Sequence, residues 1–113
     1  MDFVKACKAL GDENRLKMID LLLNRTYCSR ALSRKLNISE PAVSQHMKVL
    51  KEVGLVRSEK YGRHMHYLVN RQALKEMAEY LEKLTGRAPE ICTRADGGCD
   101  LAEYDYCQKM QEQ

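Results

Sequence analysis

The chain has 113 residues, of which 44% are hydrophobic and 31% are charged, and its formal net charge is +3. This length suits one domain with a modest core, and the composition excludes an intrinsically disordered chain. No apolar run approaches the roughly 20 residues that a membrane helix needs, so no membrane partner is predicted. The first residues contain no apolar signal-peptide segment, and the expected location is the cytoplasm.

Charge is distributed unevenly along the chain. Residues 1–70 contain 13 Lys and Arg against 7 Asp and Glu, whereas residues 71–113 contain 6 against 9. A basic first part and an acidic second part indicate that the first part meets a polyanion. The alternative is a solvated surface with charges of random sign, and an excess of this size alone does not decide between the two.

Two amphipathic helices are predicted at the start of the chain. The first covers Phe3 to Leu10, where these two residues and Cys7 form one apolar stripe. On that stripe Cys7 is expected to be a small core residue. Asp12 caps the second helix, which continues to about Asn24. Its predicted inward residues are Leu16, Ile19, Leu22 and Leu23.

A third and a fourth helix come next, separated by a tight turn. The third extends from about Ser29 to Leu36. Its predicted buried residues are Ala31, Leu32 and Leu36. Ser39 is a favourable N-cap for the fourth helix, which extends from about Glu40 to Val53. The inward residues of the fourth helix are Val43, Met47 and Leu50.

The pattern then changes to alternation. The segments LVRSEK and HMHYLVN flank a turn at residues 61–63 and predict a β-hairpin. From Arg71 the helical period returns, and Gly86 and Pro89 close this last helix. Its apolar stripe contains Leu74, Met77, Leu81 and Leu84. The tail is predicted to be a loop with a short helix over about residues 100–110.

Short helices, a tight turn, a capped helix and a β-hairpin together form a winged helix-turn-helix, so the predicted fold class is mainly α with a small β-hairpin wing. The fourth helix is the candidate recognition helix, because a helix fits the major groove and presents its N-terminal half to base edges. Its outward residues are Ser39, Glu40, Ala42, Ser44, Gln45, His46 and Lys48. The alternative is that the fourth helix is an ordinary amphipathic helix in a small bundle. The tight turn before it and the β-hairpin after it would then be present by coincidence.

Two further groups of residues are candidate DNA contacts. The hairpin tip suits phosphate contact or insertion in the minor groove, and the third helix carries cations that would face the DNA backbone. The residues of the tip are Lys60, Tyr61, Arg63 and His64. The cations of the third helix are Arg30, Arg34 and Lys35.

The segments KALGDENRLKMIDLL, LSRKLNISEPAVSQHMKVLKEVGLV and YGRHMHYLV resemble the ArsR/SmtB family of metal- and redox-responsive bacterial repressors, over about residues 3–85. The resemblance implies a homodimer that binds an imperfect inverted repeat in double-stranded DNA and leaves it when an inducer binds. It also implies a dimer interface from the first and last helices. The candidate interface residues are Phe3, Cys7, Leu10, Leu74, Met77, Leu81 and Leu84.

Residues 1–86 are therefore predicted to be a DNA-binding and dimerisation domain, and residues 87–113 a cysteine-containing tail that is the candidate sensor. Two inducer sites of the resembled family are not reproduced. Cys28 matches the first residue of the C-V-C-x-L-C cluster, but the later positions of that cluster hold Ser29, Arg30 and Ser33. The last helix contains no histidine for a His/carboxylate zinc site.

The remaining candidate sensor residues are three tail cysteines, Cys92, Cys99 and Cys107. Three thiolates can converge on one soft cation such as As(III), Cd(II) or Pb(II), and the acidic residues around them would attract it. Cys28 is a candidate fourth ligand; it lies at a helix start, and packing and sensing remain alternatives for it. No organic cofactor is expected.

Three alternatives remain open from the sequence. The cysteines could form a redox or reactive-sulfur switch in a repressor of the same fold, or they could be inert. A metal-buffering protein without a DNA role would bind the same metals. An enzyme is not expected, because the histidines at 46, 64 and 66 all fall in the predicted DNA surface and no phosphate loop or catalytic triad motif is present.

Overall fold

The computed structural model describes residues 1–90 and residues 105, 106 and 109. The elements in chain order are α1 (Phe3–Leu10), α2 (Glu13–Asn24), β1 (Tyr27–Cys28), α3 (Ser29–Leu36), α4 (Glu40–Glu52), β2 (Val56–Tyr61), β3 (His64–Val69) and α5 (Arg71–Thr85). The strands form one antiparallel sheet in the order β1-β3-β2. The five helices and the hairpin that the sequence predicts between residues 3 and 86 are present, within a residue or two of their expected bounds.

The chain divides into two compact units, Met1–Leu81 and Glu82–Gln113. The first contains every element except the end of α5. In the second, the Thr85 hydroxyl donates to the Glu82 carbonyl at 2.7 Å where α5 ends. Of the predicted short helix near residues 100–110, the described residues 105, 106 and 109 are helical and the rest lies outside the described part. The predicted domain boundary at residue 86 stays a prediction.

Capping side chains begin two of the helices as the sequence predicts. The Asp12 carboxylate accepts from the Arg15 backbone N–H at 3.1 Å, and the Ser39 hydroxyl accepts from the Ala42 N–H at 3.2 Å. Each bond satisfies one of the N–H groups that a helix start leaves without a partner. Helix α3 begins differently, because its N-cap residue Cys28 makes no side-chain capping bond.

The turn between α3 and α4 depends on a left-handed residue. Asn37 adopts φ 55° and ψ 45°, a conformation that asparagine tolerates better than most residues. The Ile38 N–H then donates to the Ser33 carbonyl at 3.1 Å, which closes the end of α3. This turn sets the direction in which the recognition helix α4 leaves α3.

Most of the predicted core is confirmed. The residues that were predicted to face inward and are buried are Ile19, Leu22, Leu32, Val43, Met47 and Leu50. Of the other predicted inward residues, Leu23, Ala31 and Leu36 are partly buried. These confirmed residues come from α2, α3 and α4, and the strand residues Val56 and Tyr67 belong to the same buried cluster.

For two residues, the prediction that they lie in the core is wrong. Leu16 is 54% exposed, and Met18, two residues further along α2, is fully buried in its place. Cys7 is exposed, because α1 packs on α2 and α4 through its alanine face, Ala6 and Ala9. Small side chains allow the helices to approach closely, and the larger residues of α1 are left at the edge of the contact.

The short strand β1 was not predicted from the sequence. It pairs with β3 in the register Tyr27 to Tyr67 and Cys28 to His66. Beside this pairing the Ser29 hydroxyl and the Tyr67 hydroxyl lie 3.0 Å apart in a hydrogen bond. The start of α3 is thus joined to the base of the wing. In the β2–β3 hairpin, Gly62 adopts φ 61°, as a two-residue turn requires.

None of the helices in the described part of the chain is both long and apolar enough to cross a bilayer.

We expect Asp12→Ala to lower the free energy of unfolding by about 1 kcal/mol, because the Arg15 N–H loses its capping partner. The backbone hydrogen bond from Arg15 lowers the pKa of Asp12 below its ordinary value of 3.8. A carboxyl with a lowered folded pKa stabilises the fold when ionised, so its contribution is present above pH 3.8 and is lost as the pH falls through the lower folded value.

Urea unfolding at neutral pH and at about pH 3 measures this effect. Asp12→Asn is the matched control, since it keeps a capping oxygen but has no charge to titrate. Equal stability of Asp12→Ala and the unaltered chain at neutral pH would contradict the assignment.

Candidate nucleic-acid interface

The outer face of α4 is polar and open to solvent. The buried side of this helix is formed by Val43, Met47 and Leu50, which pack in the core. The predicted DNA-contacting residues of α4 that are exposed are Ser39, Glu40, Ser44, Gln45 and Lys48, and Ala42 is half-buried. Glutamine can bond bidentately to adenine, and the short hydroxyls can reach bases or phosphates. This face therefore has the size and chemistry of a major-groove reader.

His46 lies at the border of this face and is less exposed than the outward orientation predicted for it, and its contact with DNA stays a prediction. The ring is half-buried, and its Nδ1 accepts a hydrogen bond from Arg15 Nη1 of α2 at 3.2 Å. The spacing contains the signal that was missed: residue 46 is three after Val43 and four before Leu50, which places it at the border of the buried stripe.

One cleft brings together three of the elements that were predicted to meet DNA. It lies between the start of α3, the start of α4 and the tip of the wing. Its lining residues are Cys28, Ser29, Arg30, Glu40, Arg63, His64 and Met65. The cations at 30 and 63 come from segments more than 30 residues apart, and the fold places them beside the N-terminal end of the recognition helix.

The cations of α3 differ in their surroundings. Arg30 and Arg34 are exposed, while Lys35 extends over the Tyr27 ring with its Nζ 6.0 Å from the ring centroid. Arg34 and Lys35 also lie in the last turn of α3, where positive charge stabilises a helix. Part of their effect is therefore on α3 itself, whereas Arg30 faces the cleft.

The wing tip combines cations with a tethered tyrosine. Lys60, Arg63 and His64 are exposed. The Tyr61 hydroxyl donates to the Glu59 carboxylate, and this hydrogen bond raises the pKa of Tyr61, so the phenol stays neutral. The tyrosine is thus held along the strand, next to a carboxylate that sequence reasoning had not included in the wing surface.

Exposed apolar side chains form a second surface, on α1 and α5. The Phe3 ring packs on the Tyr80 ring with centroids 4.2 Å apart. Beside them Val4 is 61% exposed and Leu81 is 51% exposed. Val4 and Tyr80 were not among the predicted interface residues, although Tyr80 lies three residues after Met77 and four before Leu84, at the border of the apolar stripe of α5.

The other predicted interface residues are distributed between core and surface. Those partly buried are Phe3, Leu10 and Leu74, and those exposed are Cys7, Leu81 and Leu84. Met77 is buried within the protomer, which leaves little of its side chain free to contact a partner, and its place at a dimer interface stays a prediction. Such an apolar patch on a small domain is typical of a protein–protein interface.

The predicted metal ligands Cys92, Cys99 and Cys107 lie outside the described residues, so the metal site stays a prediction. Within the described part, Cys7 and Cys28 are free thiols, exposed and half-buried respectively. That same part of the chain contains no cluster of three or more His, Cys, Asp or Glu residues suited to a metal ion. The His64/His66 pair on the wing, which belongs to the described residues, is therefore not part of one.

Known proteins resemble this chain in sequence. A family model described as bacterial regulatory protein, arsR family, matches residues 12–58. The transcriptional activator HlyU of Vibrio cholerae is 34% identical over 77 residues, which cover 68% of this chain and 71% of that protein. The arsenical resistance operon repressor of Staphylococcus xylosus is 32% identical over 92 residues, which cover 81% of each chain.

Solved structures resemble it in fold. An ArsR-like transcriptional regulator from Rhodococcus sp. RHA1 superposes with a TM-score of 0.68 at 25% identity, covering 96% of this chain and 87% of that one. The homodimeric winged helix-turn-helix DNA-binding domain of a Mycobacterium bovis protein gives a TM-score of 0.61 at 21% identity, covering 76% and 81%. These likenesses confirm the winged helix-turn-helix architecture.

Proposed function

This chain belongs to the ArsR family of bacterial regulatory proteins, and from that premise we propose that it is a repressor that binds promoter DNA as a homodimer and releases it when an inducer binds. The family and the fold are those of transcription regulators and not of enzymes. The predicted membership of the ArsR/SmtB family is confirmed. We place the protein in the cytoplasm, where promoter DNA is found.

One observation carries the proposal of DNA binding. The cleft beside the start of α4 is lined by Arg30 and Arg63, while the outer face of α4 presents Gln45 and its polar neighbours to solvent. Phosphate-binding cations thus flank a helix that fits the major groove. This is the arrangement in which phosphate contacts position a protein and base contacts specify its site.

The dimer is proposed from the apolar surface on α1 and α5. A twofold axis through the Val4 and Leu81 region would bury the same patch on both protomers. Two recognition helices about 34 Å apart would then meet successive major grooves, and the operator would be an inverted repeat. The similarity to a domain described as homodimeric supports this arrangement.

We propose a soft metal or metalloid as inducer, bound by Cys92, Cys99 and Cys107 with Cys28 as a candidate fourth ligand. Thiolates prefer such ions, and the relative from Staphylococcus xylosus is named for arsenical resistance. Binding would shift the dimer toward a state with weaker operator affinity; a coupling of about 1–3 kcal/mol changes affinity roughly 5–150-fold. A thiol redox switch is the alternative, and peroxide or polysulfide would then replace the metal.

Fluorescence anisotropy with a duplex from the promoter of the protein's own operon tests DNA binding. We expect a steep salt dependence, because phosphate contacts release counterions. Lys60→Ala should weaken binding to all sequences and reduce the logarithmic salt slope by roughly 1. Lys17→Ala is the matched control, since this exposed lysine lies outside the cleft and pairs with Glu13 at 3.0 Å.

Two results would contradict the proposal. If the chain bound no duplex at low salt but bound metal, it would be a metal-buffering protein. If it bound DNA and raised transcription in a purified system, activation would replace repression.

A further inference from the structure

Three helices meet at one arginine. Arg15 lies in the first turn of α2, and its Nε donates to the Ala9 carbonyl of α1 at 2.6 Å. Its Nη1 donates to His46 Nδ1 of α4 at 3.2 Å. A single guanidinium therefore joins the C-terminal end of α1 to the middle of the recognition helix, through two hydrogen bonds that are partly shielded from water.

The chemistry of the two side chains determines which of them accepts. A guanidinium has only donors, so His46 Nδ1 must supply a lone pair and its proton must lie on Nε2. The Asp12 carboxylate is 3.9 Å from the same ring nitrogen, beyond hydrogen-bond distance. Arg15 is thus the direct partner of His46 among the residues that the structure describes, while Asp12 caps α2.

We propose that Arg15 and His46 are positioning residues that hold the recognition helix in its orientation relative to α1, and that His46 does not read a base. The proposal rests on the DNA-binding function proposed above. Because α1 carries part of the proposed dimer surface, a rearrangement of the dimer would reach α4 through this pair. The guanidinium fork matters, since one ammonium group cannot reproduce two donors in that fixed geometry.

The rival interpretation is that His46 contacts DNA directly, as its place in the recognition helix suggests. The two interpretations predict different patterns. Loss of a base contact relaxes discrimination at one position of the operator. Loss of orientation weakens contacts along the whole helix, so affinity falls for every operator variant by a similar factor. If two residues act through each other, their losses of binding free energy do not add in the double variant. The losses from two independent residues do add.

Anisotropy on the full chain with its promoter duplex tests the proposal. We expect Arg15→Ala and His46→Ala each to weaken binding roughly tenfold, as loss of a charge-assisted hydrogen bond does. The double variant should bind no more weakly than the weaker single variant. His46→Asn should restore most of the affinity with unchanged base preference, because the Asn Oδ1 can accept the bond that Nδ1 accepted.

Additive losses, a loss confined to one base pair, or failure of His46→Asn to restore binding would overturn the proposal. Sedimentation and thermal unfolding of each variant establish that the dimer and the fold are retained. If Arg15→Ala fails to fold, the pair His46→Ala and His46→Asn carries the test. Absence of any duplex binding by the unaltered chain would instead overturn the DNA-binding function itself, together with this role.

Discussion

Replacement of Leu81 by aspartate is expected to convert the proposed homodimer into monomers and to lower operator affinity about 100-fold or more. Leu81 is 51% exposed in the single chain, so the protomer does not depend on it for its core. In a twofold dimer the new carboxylate would be buried twice, once on each side of the axis, without a partner. An unpaired buried charge costs several kcal/mol, which opposes association of the two protomers. A monomer would then contact one half-site of the operator, whereas the dimer would contact two.

Sedimentation velocity over a range of protein concentrations measures the assembly state, and anisotropy measures the operator affinity. Leu16→Asp is the matched control: Leu16 is 54% exposed on α2, outside the proposed surface, and its replacement should leave the dimer intact. Met77→Asp would not test the interface, because Met77 is buried and a carboxylate there would unfold the protomer. A dimeric Leu81→Asp protein with full operator affinity would contradict the assigned interface.

Replacement of Cys92, Cys99 and Cys107 together by serine is expected to abolish release of the operator by arsenite, Cd(II) or Pb(II). Serine hydroxyls are poor ligands for soft ions, so addition of the inducer should no longer change the operator affinity. The ratio of operator affinities without and with inducer, expected at roughly 5–150 in the unaltered chain, should approach 1. Operator affinity without inducer should not change, since no DNA contact is removed.

Anisotropy with and without each ion, read beside near-ultraviolet thiolate–metal absorption, provides the measurement. Cys7→Ser is the control for the loss of an exposed thiol outside the tail, and Cys28→Ser tests the fourth ligand. Release of the triple variant by the same ions would refute sensing by the tail. Release of the unaltered chain by peroxide or polysulfide alone would favour the redox alternative.

Local chemistry explains why much of the fold was predictable. The capping residues Asp12 and Ser39 form their bonds within three residues along the chain, and the Gly62 turn needs only its own backbone conformation. The apolar stripe of α4 is likewise periodic within one helix. Because these interactions depend on near neighbours in sequence, they can be read without knowing which elements pack together.

The misplaced residues share a different cause. Periodicity gives the direction of an apolar stripe but not which of its residues the neighbouring helices cover. Helix α1 packs through Ala6 and Ala9, so Cys7 is left exposed, and in α2 Met18 is buried while Leu16 is not. Burial of this kind depends on how closely two helices approach, and that distance is set by the whole core.

The sequence by itself determined the winged helix-turn-helix, the polar face of its fourth helix and the family resemblance, since these depend on spacing along the chain. Only the tertiary structure decided that Arg30 and Arg63 share one cleft, that Tyr27–Cys28 joins the wing, and that Arg15 is the partner of His46. Each of these contacts joins residues about 30 or more positions apart. Such contacts form when helices and strands pack, and no local pattern records which partners will meet.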